Sequence, residues 1–251
     1  MRRVLSLALV ALCASLMGRI AYADDAAPRD PTPRTAVISA FQPEWVALQG
    51  RLKDRKDQVI NGTTFATGTI EGKPVVLFLS GISMVNASMT TQLSLDRFNI
   101  KQIVFSGIAG GVDPNLSIGD VVVPAQWSEY LESVIAREEN GKYTLPSYAE
   151  KTLANFHMMF PQPIQIAKGN DEVEKREWFP ADAQLLAIAR KTAQQAPLQK
   201  CTADQKCLTH QPKIVVGGNG VSGQAFVDNK IFREYVRSTF HAEVLDMDSA
   251  A

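Results

Sequence analysis

Apolar and polar positions along the chain alternate between short β-type runs and longer stretches of helical period. Thr35–Ala40, Pro74–Leu79, Ile103–Phe105 and Val121–Val123 are brief, nearly unbroken apolar runs, the pattern of strands buried on both faces. Thr63–Glu71 reads as a strand joined through Gly72 to the one ending at Leu79, and Lys213–Val216 and Glu243–Met247 as two more. Helical spacing marks Val85–Phe98, Asp228–Ser238 and Ala181–Gln195, the last with Leu185, Leu186, Ile188 and Ala189 on one side. A helix also follows Phe41, with Pro43 suited to its first turn. From Trp127 to Pro180 the pattern fades, and a long irregular excursion that can cover a site is expected. Strands alternating with helices predict an α/β fold with helices on both faces of a sheet.

The first residues follow a different rule. Met1-Arg2-Arg3, an apolar stretch from Val4 to Met17 and Ala21-Tyr22-Ala23 have the layout of a secretory signal peptide. An apolar run of about 14 residues is short of the roughly 20 that a membrane span needs. Cleavage is predicted after Ala23, with a periplasmic or secreted product and no membrane partner. Residues 24–34, with Pro28, Pro31 and Pro33, are expected to be a flexible lead-in, and 35–251 to be one domain.

Charge and cysteine content narrow the picture. Loss of Arg2, Arg3 and Arg19 leaves 23 basic residues against 26 acidic ones, with no basic block, which argues against nucleic acid as a partner. Cys13 departs with the signal, so Cys201 and Cys207 remain, and in an oxidising compartment this close pair reads as a local disulfide. Free thiols, or a metal site using His210, are the other readings, although zinc normally takes four ligands. No metal is expected.

Chemistry has several candidate locations. Gln102–Gly111 is a buried strand running into Ser106-Gly-Ile108-Ala109-Gly110-Gly111, where glycines can take backbone angles closed to other residues and bring bare N–H groups to a ligand. A tight turn with no ligand has the same sequence. Gly218-Asn-Gly220-Val-Ser-Gly223 has G-x-G-x-x-G spacing, but Gln224–Val227 separates it from the next helix, so it is a weak dinucleotide signature. There is no G-x-S-x-G or H-E-x-x-H, and His157, His210 and His241 stand in unrelated contexts. Carboxylates remain: Glu44 follows the first strand, and Asp246 and Asp248 end the last. In open α/β sheets, ligands bind beyond the carboxyl ends of strands, where these acids and both glycine stretches fall. Taken singly, each acid could equally be a helix cap or first-turn charge.

Five segments occur in the order found in nucleoside phosphorylases: Ala40–Glu44, Ser80-Gly81-Ile82, Gly107–Gly111 with Ile118-Gly119-Asp120, Val221–Phe226 and Leu245–Asp248. The chain most resembles the methylthioadenosine/S-adenosylhomocysteine nucleosidases of that purine/uridine phosphorylase superfamily, from about Thr35 to Ala251. The resemblance implies a three-layer α/β/α sandwich around a mixed central sheet, forming a homodimer or higher homo-oligomer. It implies cleavage of the N-glycosidic bond of purine nucleosides without a cofactor, phosphate being a co-substrate if the enzyme is a phosphorylase. Glu44 would activate the nucleophile at the ribose C1′. Met247 and Asp248 would hold the ribose, with Asp246 beside them, while Phe226 and Val227 would contact the base. Ile108, Ala109 and Gly110 would complete the substrate pocket.

That chemistry suits carboxylates on physical grounds, because glycosidic cleavage passes through an oxocarbenium-like state that nearby negative charge stabilises. No Arg or Lys lies within Ser80–Met84 or Ser106–Asp113, which favours water over phosphate as the nucleophile. Relatives usually carry Ser or Thr at Ile108 and Glu-Met-Glu at Asp246–Asp248, so each carboxylate here reaches roughly 1 Å less far. The resemblance also implies a further helix, a strand ending in Ser-Asp whose acid protonates the purine N7, and a final helix, all beyond Ala251. On that expectation the C-terminal part of the domain is missing from the chain, or the protein is a weak catalyst or a nucleoside binder.

Overall fold

The computed structural model describes residues 29–169 and 171–251; the expected signal peptide, 1–23, lies outside them. The first half comprises β1 (Asp30–Ser39), α1 (Gln42–Gln49), β2 (Lys53–Ile60), β3 (Thr63–Ile70), β4 (Lys73–Leu79), α2 (Met84–Arg97) and β5 (Phe98–Phe105). Its strands form one sheet in the order β2-β3-β4-β1-β5. β1 runs parallel to β4 and β5, while β2, β3 and β4 form an antiparallel meander. The core is Phe65, Phe78 and Phe98, whose ring centroids lie 4.9 and 5.2 Å apart, with Ile38, Val76 and Leu77 packed around them.

Two sequence expectations change here. The lead-in was expected to extend to Arg34, but β1 begins at Asp30, because Arg34 bonds to Asp30 and to the Val75 carbonyl. The prolines are accommodated by register shifts against β5 at Asp30/Pro33 and Arg34/Thr35, where a missing N–H does not break a regular ladder. β2 was not anticipated, because Lys-Asp-Arg-Lys-Asp-Gln is polar throughout. It is an exposed edge strand, and charge on such an edge discourages pairing with other chains.

The second half continues with β6 (Gly110–Gly111), β7 (Val121–Val123) and β8 (Gln126–Glu129). An excursion follows, holding β9 (Ser133–Ile135), β10 (Arg137–Glu139), β11 (Lys142–Thr144), β12 (Met159–Pro161), β13 (Ile164–Ala167) and β14 (Val173–Arg176). It is more regular than expected, being made of the antiparallel pairs β10–β11, β9–β12 and β13–β14. Strands this short show no readable period-2 pattern. The chain then returns through β15 (Phe179–Pro180), α3 (Ala183–Ala193), β16 (Ile214–Val216), β17 (Asn219–Ser222), α4 (Lys230–Phe240) and β18 (Ala242–Asp246). A second five-stranded sheet has the order β15-β8-β17-β18-β6, and β7 pairs with β16 separately. The second core gathers Tyr130, Val221, Val236, Phe240 and Leu245.

Both sheets mix parallel and antiparallel pairs, and α2, α3 and α4 fall within two residues of their predicted bounds. Asp182 and Asn229 cap α3 and α4 through their side chains, as short polar residues at helix starts do. None of the described helices is long and apolar enough to cross a membrane. Cys201 and Cys207 are joined by a disulfide, while His210 lies 3.4 Å from Asp120 instead of sharing a thiolate site.

Candidate active site

The two halves meet where parallel strands end. Ser80 N–H donates to the Ser39 carbonyl and Ser106 N–H to that of Ile38, each at 2.8 Å, and Ser39 Oγ reaches the Ser106 carbonyl at 2.8 Å. These bonds bring the ends of β1, β4 and β5 together. The ends of β17 and β18 are joined by Gly223 N–H to the Asp246 carbonyl and by Ser222 Oγ to Asp246 Oδ1 at 2.5 Å.

Glu44 stands on the first side. Its Oε2 accepts from the N–H groups of Ala40 and Phe41, each at 3.0 Å, and Oε1 accepts from Ile108 N–H at 2.8 Å. The bond to Phe41, the residue preceding α1, is half of a capping box and has a purely structural explanation. The bond to Ile108, 64 residues away, has no such explanation: it carries the carboxylate across to the glycine stretch. A carboxylate has about four lone-pair positions. Among the described residues three are filled, which leaves one on Oε1.

The glycine stretch works differently from the expectation. Gly107, Gly110 and Gly111 are absent from the residues with positive φ, so no forbidden backbone angle is in use. Space is tight at Gly107, since a Cβ there would lie 3.3 Å from Glu44 Oε1 and 3.1 Å from the Phe105 ring, so that one of them would have to give way by a few tenths of an ångström. Gly110 and Gly111 form β6 and pair with Leu245 and Val244 of β18. Ile108 N–H is already engaged by Glu44, so the stretch is not a row of bare amides awaiting an anion. Ile108 itself is 71% exposed, and Ala109 and Gly110 are exposed beside it.

Asp248 stands on the second side and is only 8% exposed. Its Oδ1 accepts from Ser83 N–H, at the head of α2, at 2.6 Å. Burial, with the charges of Asp246 and Glu44 added, pushes its carboxyl up to about 6, against the lowering effect of the Ser83 N–H. Asp246 was expected to meet substrate, but its side chain turns inward. It accepts from Ser222 Oγ, from the N–H groups of Asp248 and Ser249 and from Ser249 Oγ. That makes it the support for the chain bearing Met247 and Asp248. Phe226 is 87% exposed, leaving a ring face open, whereas the Val227 side chain packs into the second core.

Sequence reading missed Ser83, whose only signal was its place just before a predicted helix. It placed Ser222 in a turn at the site but not as a partner of Asp246, and it missed Ser249, which also bonds to Asp246, and Glu129, a buried acid at the end of β8 whose carboxyl is raised by burial. Glu129 lines a cleft of about 200 Å³ with Met84, Leu131, Ile164 and Gln224. A second cleft, of about 540 Å³, includes Gln42, Arg55, Thr64, Ser80 and Gly81, so the chain passes from one cleft to the other across Ile82 and Ser83. The G-x-G-x-x-G spacing also has a packing cause. A Cβ at Gly220 would lie 2.6 Å from the Trp127 ring and one at Gly223 2.7 Å from that of Tyr130. Gly220 and Gly223 make room for aromatic rings of and beside β8, while Gly218 is at φ 71° and packs against Glu243.

Residues 34–251 match the sequence profile of the Phosphorylase superfamily, and the chain belongs to that family. It is 27% identical to bark storage protein B of Populus deltoides over 206 residues, covering 76% of this chain and 63% of that protein. It is 42% identical to a 5'-methylthioadenosine/S-adenosylhomocysteine nucleosidase of Geobacillus thermodenitrificans over 90 residues, covering 36% of this chain and 38% of the nucleosidase. The chain therefore spans less than two thirds of the length of these curated relatives. Among solved structures, the nucleosidase of Colwellia psychrerythraea in complex with adenine aligns with a TM-score of 0.63 at 23% identity, over 89% of this chain and 76% of that one. Futalosine hydrolase of Helicobacter pylori aligns with a TM-score of 0.62 at 20% identity, over 87% of this chain and 76% of that one. These two alignments show the shared α/β fold.

Proposed function

We propose that this protein cleaves the N-glycosidic bond of a purine nucleoside by hydrolysis, as the nucleosidases it resembles are named for doing. The observation that carries this reading is Glu44, fixed by three amides, one of them from Ile108, with one Oε1 position unfilled among the described residues. A carboxylate so held can take a proton from a water without moving, and a positioned general base contributes roughly 10²–10⁴-fold. Asp248 would hold the ribose hydroxyls and, with Glu44, stabilise the positive charge that grows at C1′. Phe226 offers a face for the purine. Water is favoured over phosphate because Arg55, in the cleft beside Ser80 and Gly81, already donates to both Asp57 oxygens and to Gln49. The disulfide and the pattern of Met1–Ala23 support a periplasmic or secreted location. Exposed Ile82, Val85 and Met89 at the head of α2 support a homo-oligomer.

A second reading, a nucleoside-binding or storage-like protein, is favoured by the crowding of Glu44 and by the similarity to a bark storage protein. Incubation with adenosine-type, inosine-type and thioether nucleosides, with and without phosphate, separates the readings when free base is followed by chromatography. Hydrolysis predicts base release without phosphate, and Glu44→Gln lowers turnover by roughly 10²–10⁴-fold. Release only with phosphate would replace hydrolysis by phosphorolysis. Calorimetric binding with no release under either condition would establish the binding protein.

A further inference from the structure

The residue that joins the two halves at Asp248 is strained. Ser83 has φ 87° and ψ 146°, close to a backbone region that is essentially reserved for glycine. Gly81, two residues earlier, is also at positive φ, so the chain leaving β4 is bent twice before α2 begins. Ser83 does not use its side chain to cap the helix. Its amide instead donates to Asp248 Oδ1 across 165 residues, and its hydroxyl lies 3.4 Å from Gln224 Oε1, on the loop that carries Phe226. Strain of this kind persists only where the surroundings impose it, and here both contacts lead to the candidate site.

We propose that Ser83 is a positioning residue for the sugar-binding carboxylate: its strained backbone aims the amide at Asp248 Oδ1, so that Oδ2 is the atom offered to the nucleoside. The assignment of Asp248 to the sugar rests on the proposed function; the clamp itself does not. The hydroxyl, 3.4 Å from Gln224 Oε1, makes at best a weak contact and offsets little of the backbone strain. The charged groups facing Asp248 are Asp246 from its own strand end and Glu44 from α1, and both oppose its ionisation. The Ser83 amide favours it.

Two variants read this out through the ionisation of Asp248, followed by carboxyl ¹³C NMR without nucleoside, and through calorimetric nucleoside binding. Ser83→Gly keeps the amide and removes the strain, so the Asp248 midpoint stays in place and the melting temperature rises by about 2–4 °C. Ser83→Val cannot hold positive φ and withdraws the amide. The midpoint then rises by about one pH unit, and nucleoside affinity at neutral pH falls about tenfold. A Gly variant that melts lower or shifts the midpoint, or a Val variant that leaves the midpoint in place, overturns the clamp. If the midpoints move as expected but the parent protein binds no nucleoside, the proposed function fails and the clamp stands.

Discussion

Glu44 and Asp248 lie close enough for the charge of one to act on the other, and they are held in opposite ways. Glu44 is half-buried and receives three amides, two of them from residues three and four positions away. Asp248 is buried and receives one, from the other half of the molecule. The first acid is fixed mainly by the helix start on which it sits; the second depends on the two halves being in register. A fixed, partly solvated carboxylate suits proton transfer. A buried one, held by a single amide next to two other acids, is suited to responding to ligand and pH.

The largest expected effect that tests this contrast is Asp248→Asn. It should weaken nucleoside binding roughly 10–100-fold, the loss of a charge-assisted hydrogen bond, while the amides around Glu44 remain in place. An Asn variant that binds normally but turns over slowly would reverse the two roles. Next comes Gly220→Ala, which drives a methyl into the Trp127 ring and should destabilise the protein by about 1–3 kcal/mol in denaturant melts. If the two halves cooperate, this distant change also weakens binding through Asp248. If binding at full folding is untouched, the register of the second sheet matters less than argued.

The smallest effect is a pH signature with two opposite slopes. The Asp248 carboxyl titrates at about 6 in the folded protein against an ordinary value of 3.8, so between those values the folded state holds a proton that the unfolded state has lost. Stability should therefore fall as pH rises from about 4 to about 6, whereas the proposed binding of nucleoside by the ionised acid should rise over the same interval. Asp248→Asn removes both slopes. Thermal melts and calorimetry across that range check the pair, and parallel slopes would mean that the neutral acid is the binding form.

Much of the first half was readable in advance, because β1, β4 and the end of β5 carry apolar runs. The expected burial of β5 on both faces does not hold, since Ile103 and Val104 are exposed, and α2 buries the small residues Ala87, Thr90 and Ser94 instead of its large apolar ones. The polar edge strand β2 and the short ladders between Glu132 and Glu177 were not readable, since neither carries a burial pattern that a period could reveal. Glu44 was placed as a candidate from its position after a strand. Its bond to Ile108 was not foreseeable, nor was the inward turn of Asp246, which depends on Ser222 and Ser249 arriving from two separate segments.

The sequence by itself determined the order of the helices and of the apolar strands, the pairing of Cys201 with Cys207 as one of few options, and the acids that could carry the chemistry. Those follow from local period, residue size and counting. Only the tertiary structure decided which acid is free and which is consumed, because hydrogen-bond saturation depends on donors brought from far along the chain. It also decided that Gly107 and Gly220 serve close packing, not special backbone angles, and that the strained residue at the site is Ser83.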